Sequence, residues 1–218
     1  MISIIIMQAQ ENPEGLWNNI LDNKDKLQNA FGNKGRLLYL SKRCNYNEAN
    51  LSVHAAEPNI LGSFIAHELA QIEEITGVWV VNMLQPDFFP LPKDTKLMKR
   101  YIITLKIFPK RLEDVYEKIS SQEYPVWIKL VYKAYTFHLF NDCIQFSVLS
   151  KNNDAELRKF VNDIVDKIPG VLKSTVFEIE KTHPFISYKE WETYASQHTF
   201  SIDWDERNMI AQFHASLV

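Results

Sequence analysis

The sequence predicts an α+β chain made of two successive βαββαβ units, and three observations predict it. β-branched and aromatic runs of strand length alternate with stretches whose apolar residues recur at helical spacing. That order of elements occurs twice along the chain. A segment carrying Pro86, Pro90 and Pro92 separates the two occurrences. With 46% hydrophobic and 23% charged residues over 218 positions, there is enough apolar material for a core and no composition typical of disorder.

Each element has its own signal. Ile2 to Met7 is β-branched and reads as a buried strand, closed by the turn-forming run Glu11-Asn12-Pro13-Glu14-Gly15. From Leu16 to Phe31, Leu16, Ile20, Leu27 and Phe31 mark one face of a helix, with Trp17 and Leu21 beside them, and Gly32-Asn33-Lys34-Gly35 ends it. Leu37 to Leu40 and Leu51 to Ala55 form a hairpin across the polar connection Asn45-Tyr46-Asn47-Glu48. Leu61, Phe64, Ile65, Leu69, Ile72 and Ile75 stripe a second helix that Thr76-Gly77 stops, and Val78 to Leu84 follows as a strand. The first unit is placed at residues 1–85. The prolines fix φ and remove backbone donors, so residues 86–98 read as an extended linker.

The second unit, residues 99–183, repeats the order. Tyr101 to Phe108 is a strand, Leu112 to Ile119 a helix, and Val126 to Phe140 a long aromatic strand that turns at Asn141-Asp142. Cys143 to Leu149 returns, with Ile144, Phe146 and Val148 alternating against Gln145 and Ser147. Asp154 caps a helix striped by Leu157, Phe160, Val161, Ile164 and Ile168; Pro169-Gly170 stops it before the strand Val171 to Glu180. Residues 184–218 read as a helical C-terminal extension, with helices at Tyr188 to Gln197 and from about Glu206 to Leu217.

The repeat is visible in residues too. Phe64-Ile65, Ile72 and Ile75-Thr76-Gly77-Val78 echo Phe160-Val161, Ile164 and Ile168-Pro169-Gly170-Val171. In the second copy, Asn141 to Val148, Leu157-Arg158-Lys159-Phe160-Val161 and Ile168-Pro169-Gly170-Val171-Leu172-Lys173-Ser174-Thr175 resemble the ligand-binding domain of the Lrp/AsnC transcriptional regulators. The resemblance covers about residues 99 to 183, and the first copy matches in outline. It implies a ferredoxin-like unit that pairs sheet to sheet, here as two tandem copies in one chain. It also implies binding of a small-molecule effector such as an amino acid at the hairpin connections, which are Asn47, Glu48 and Asn50 in the first copy and Asn141 and Asp142 in the second. Asp142 would face an ammonium group. The same polar residues are also those that favour turns for local backbone reasons. Unlike the family's regulators, the chain opens on a strand with no helix-turn-helix. The expected role is therefore sensing in transcription regulation, through a homo-oligomer or a related regulator and without direct DNA contact.

Other features narrow the classes. Lys and Arg number 24 against 27 Asp and Glu, a net charge of -3, which opposes phosphate-driven nucleic-acid binding. No apolar run reaches the roughly 18 residues of a membrane span, no secretory leader is read, and a cytoplasmic location with no membrane contact is expected. Cys44 and Cys143 are too far apart for a CxxC motif and read as buried thiols. His54, His67, His138, His183, His198 and His214 show no zinc-ligand spacing, so neither metal nor cofactor is expected. No nucleophile motif or phosphate loop occurs, and Glu73-Glu74, Asp203 and Asp205 read as surface charges. Trp127, Tyr132, Tyr135, Phe137 and Phe140 with Lys129 and Lys133 could stack bases, but read better as sheet packing. Two alternatives stay open beside the sensor: an αβ-barrel enzyme of haem or monooxygenase kind, and a ligand-free oligomerisation scaffold.

Overall fold

The computed structural model describes residues 1–89, 95, 97–138 and 141–198. Among these residues it contains two units, 1–82 with 179–198, and Met83–Glu178.

In the first unit, β1 (Ile2–Ala9) leads to α1 (Pro13–Asp22) and α2 (Lys24–Phe31). Proline suits the first helical turn, and the Asn12 side chain accepts from the Gly15 N–H at 2.8 Å. The single helix expected from Leu16 to Phe31 is broken at Asn23. There the side-chain amide donates to the Asn19 carbonyl at 2.9 Å beside the Asn23 backbone N–H at 3.1 Å, and a new helix starts at Lys24. β2 (Gly35–Arg43) and β3 (Glu48–Ala55) form the hairpin, turning through Asn45 at φ 63. α3 (Pro58–His67) follows, shorter than the stripe suggested: one tight turn, Leu69–Gln71, intervenes before β4 (Ile75–Phe88). β4 thus runs through Pro86, the expected start of the linker, whose residues 90–94 and 96 lie outside the described part. Prolines are tolerated at strand ends.

The second unit holds β5 (Lys99–Ile107), α4 (Leu112–Ser121), β6 (Ile128–His138), β7 (Asn141–Ser150), α5 (Asp154–Phe160) and β8 (Val171–Pro184). A π-helical turn, Val161–Val165, prolongs α5, and Gly170 at φ 108 makes the reversal into β8. The unit boundaries fall inside β4 and inside β8. Asn141 and Asp142 open β7 rather than making the turn, paired with His138 and Phe137. The last part of the tail, including the helix expected from about Glu206, lies outside the described residues, whereas α6 (Tyr188–Gln197) stands where the sequence put it.

Strand order is β4–β1–β3–β2 in the first unit and β8–β5–β7–β6 in the second. Every pairing given in register is antiparallel, among them Ile5 opposite Leu51 and Ile103 opposite Phe146. The result is an α+β fold consistent with a ferredoxin-like arrangement. Each unit has its own core. Ile5, Met7, Leu51 and Val53 pack with Leu16, Ile20, Leu27 and Phe64 in the first; Ile103, Phe146 and Val148 pack with Val115, Ile119, Leu157 and Val161 in the second. No helix among the described residues is long and apolar enough to cross a membrane.

One core residue carries an unmet polar group. Tyr101 on β5 is fully buried, its hydroxyl has no hydrogen-bond partner, and burial pushes its pKa up to about 12. A buried donor left unsatisfied is destabilising, so Tyr101→Phe is expected to raise stability by about 1 kcal/mol in urea denaturation.

Candidate functional site

β3 alternates strictly. Ala49, Leu51, Val53 and Ala55 enter the core beneath the helices, so Glu48, Asn50, Ser52 and His54 share the opposite face. That face is not left to water: Asn50 and His54 are 4% and 5% exposed. Across it, Asn50 lies opposite Ser41 and Ile6, and His54 lies opposite Arg36 and Ile2. The first unit therefore carries a buried polar stripe, with charged groups at each end.

At one end stands His54. Its Nδ1 is 2.5 Å from the Tyr194 hydroxyl on α6, and its ring meets those of Tyr194 and His198 edge-on at 5.5 and 5.0 Å. Tyr194 in turn stacks on His198 at 4.0 Å and lies under the Arg36 guanidinium at 5.5 Å. α6 is fixed here by a capping box, in which Ser187 Oγ accepts from the Glu190 N–H and the Glu190 carboxylate accepts from the Ser187 N–H. That carboxylate also pairs with Arg36 at 3.5 Å. The strands approach closely at this point: a Cβ at Gly35 would sit 2.7 Å from the His54 carbonyl oxygen, so only glycine fits. Burial lowers the His54 pKa to about 4, helped by the N-terminal ammonium and by His198. The imidazole is thus neutral throughout the physiological range. Tyr194 is moved the other way, raised by burial against the opposing pull of Arg36.

At the other end Glu48 and Arg43 form an ion pair with side chains only 12% and 15% exposed. Asn50 Nδ2 donates to the same Glu48 carboxylate at 3.5 Å, and Arg43 lies over the Tyr46 ring at 4.8 Å. Glu48 and Asn50, two of the expected site residues, therefore come together. Asn47 contributes its backbone carbonyl to the Ala9 N–H at 2.8 Å. Asn141 and Asp142 belong to the second unit, at the start of β7, and their side chains lie outside the described ones. The second unit shows the same design on β7. Cys143, Gln145 and Ser147 face away from the helices and are buried, and Gln145 donates to the Tyr132 hydroxyl at 2.8 Å.

Sequence reasoning treated His54 as one scattered histidine and did not pair it with Tyr194. The available signal was the alternation in Glu48-Ala49-Asn50-Leu51-Ser52-Val53-His54-Ala55, with a polar residue at every second position of a strand in a buried sheet.

No protein-family model and no curated protein matches the sequence. Solved structures do match. A single-residue variant of chlorite dismutase from Candidatus Nitrospira defluvii aligns over 83% of this chain and 91% of its own, at 10% identity and TM-score 0.53. The chain has a chlorite-dismutase-like fold. A second variant of that enzyme aligns over 83% and 92%, at 9% identity and TM-score 0.52. An encapsulated DyP-type peroxidase from Mycobacterium smegmatis aligns over 84% and 92%, at 8% identity and TM-score 0.49.

The chlorite dismutase matches correct the expected kinship with Lrp/AsnC effector domains. The signature that suggested it, Ile168-Pro169-Gly170-Val171, is the helix stop and the φ 108 reversal that starts β8, a requirement of the topology and not the mark of one family. The expected sensing role in transcription regulation is corrected with it, because the solved structures sharing the fold are enzymes.

Haem, one branch of the enzyme alternative, does not fit at His54. The imidazole packs against the Tyr194 and His198 rings, and the strand face beside it is polar, where a macrocycle needs a flat apolar slot. The His138 side chain lies outside the described ones. Among the described residues no three His, Cys, Asp or Glu side chains cluster as metal ligands.

Proposed function

We propose that this chain is an αβ-barrel enzyme that works by acid–base chemistry, built on two tandem ferredoxin-like units, with His54 as its proton acceptor. One observation carries the reading: a buried histidine held neutral and oriented by a tyrosine on the polar face of the sheet. The likeness in fold to chlorite dismutase supports the enzyme class.

The chemistry follows from the tautomer. In the tautomer whose Nδ1–H donates to the Tyr194 oxygen, the Nε2 lone pair is left to accept a proton from an activated, acidic C–H or O–H of the substrate. The products are an imidazolium and a substrate anion, side by side on the polar face of the sheet. Tyr194 orients the ring as a positioning residue, itself held under the Arg36 guanidinium.

Solvent-deuterium exchange into a panel of activated C–H acids, followed by NMR, tests the acid–base step without requiring the complete reaction. Exchange is expected to be catalysed by the native protein and to fall about a hundredfold or more in His54→Ala. Tyr194→Phe should retain part of the rate with a shifted pH profile. A Soret band on adding hemin that disappears in His54→Ala would overturn the reading in favour of a haem enzyme. Unchanged exchange in His54→Ala would remove the histidine from the mechanism.

A further inference from the structure

We infer that the opposite end of the β3 stripe, at Asn50 and Ser41, is a binding site for a neutral group that carries a hydrogen-bond donor beside an acceptor, a carboxamide in the first instance. The inference stands on this site alone and does not depend on the role of His54.

The orientation of the Asn50 amide is determined by its neighbour. Glu48 Oε1, 3.5 Å away, can only accept, so the amide nitrogen must face it and Oδ1 must point elsewhere. Oδ1 is buried and has no hydrogen-bond partner. Buried acceptors are nearly always satisfied, so an unfilled one at a packed strand position marks a place for a donor that the chain itself does not supply. Ser41 is directly opposite Asn50 in the register, on the same face and 4% exposed, and its hydroxyl can donate. The two side chains stand on neighbouring strands at paired positions and together present an acceptor and a donor, the complement of a group with N–H and C=O side by side.

Charge decides against ionic ligands. Arg43 and Glu48 neutralise one another at 15% and 12% exposure, leaving neither a carboxylate to hold an ammonium nor a guanidinium to hold an anion. Ile6, opposite Asn50 on β1, supplies an apolar wall. Beyond the Arg43–Glu48 pair the neighbouring Tyr46 is 44% exposed.

The test uses the full chain and three probes of one shape: propionamide, propionate and propylammonium. Binding is followed by NMR titration in the native protein and in Asn50→Leu, Ser41→Ala and His54→Ala. Propionamide should bind saturably, and the two ions at least about tenfold more weakly, the loss of one good hydrogen bond. Asn50→Leu and Ser41→Ala should each weaken propionamide about tenfold or more, while His54→Ala leaves it unchanged and so separates this site from the proposed proton transfer. Should Asn50→Leu fail to fold, the Ser41→Ala titration decides alone. Equal binding of the three probes, or propionamide binding that survives in a folded Asn50→Leu, would overturn the inference. So would no saturable binding at all, which leaves a buried water as the partner of Asn50.

Discussion

Acidification from pH 6.5 to pH 4 is expected to remove about 3 kcal/mol of folding stability through His54 alone. The sign follows from proton uptake. Burial, then the N-terminal charge and His198, depress the pKa of the folded state to about 4 from an unfolded value of 6.5, so the unfolded chain binds the proton more tightly. Stability contributed by the neutral imidazole is complete above pH 6.5, declines as the pH falls through the window, and is gone below pH 4. Chemical denaturation of the native protein and of His54→Leu at several pH values measures it, the difference between the two curves carrying the histidine term. The carboxyls of Glu14 and Glu190, which their hydrogen bonds hold below the usual range, also lose stabilising charge on acidification, but they do so in both proteins and cancel. Parallel curves would show that His54 is solvated in the folded state, contrary to its place under α6.

Replacing Lys133 should reveal how the second unit anchors α4. Lys133 on β6 is 1% exposed, and its ammonium donates to the Tyr116 carbonyl at 3.0 Å and to Ser120 Oγ at 2.8 Å. It lies 3.8 Å from the centre of the Tyr116 ring and 3.4 Å from the Asp87 carboxylate. Tyr116 itself stacks on Tyr135 at 4.0 Å and donates to the Gln85 carbonyl, where the chain adopts φ 46. One lysine therefore ties helix, sheet and the end of β4 together within the unit. Lys133→Ala removes the charge-assisted bonds and leaves a cavity where the four-carbon stem packed, an expected loss of about 3 kcal/mol. Lys133→Met keeps the stem and should lose only about 1 kcal/mol, since a well-packed apolar replacement of a buried charge is often tolerated. Equal losses would mean that the charge, and not the packing, holds α4.

Much of this architecture is written in local patterns. The β-branched run of β1, the alternation of Ile144, Phe146 and Val148, and the Ser187 to Glu190 start of α6 specify their elements because period, cap and burial agree. What local pattern could not show was where competing backbone partners would win. One helix ends and another begins at Asn23. Pro86 does not stop β4, and Asn141 and Asp142 are drawn into β7 by pairing with His138 and Phe137. The site was legible in halves. Glu48 and Asn50 were marked by their polarity, but the His54 partner Tyr194 lies far along the sequence on an amphipathic helix, and only the tertiary structure joins them. Family kinship was read from a helix-stop sequence that many chains of this topology need, so the motif was sound for fold and uninformative for function.

The alternation of β3 also bears on how this protein can vary through descent. Its two faces interleave residue by residue, the apolar set serving the core and the polar set the stripe. A single-codon deletion between Asn50 and Val53 would exchange the sets on one side of the lesion, turning part of the core stripe outward and the polar stripe inward. Substitution at Asn50, Ser52 or His54 changes the polar stripe and leaves the core set in place. An added residue in the Asn45–Asn47 turn shifts neither face.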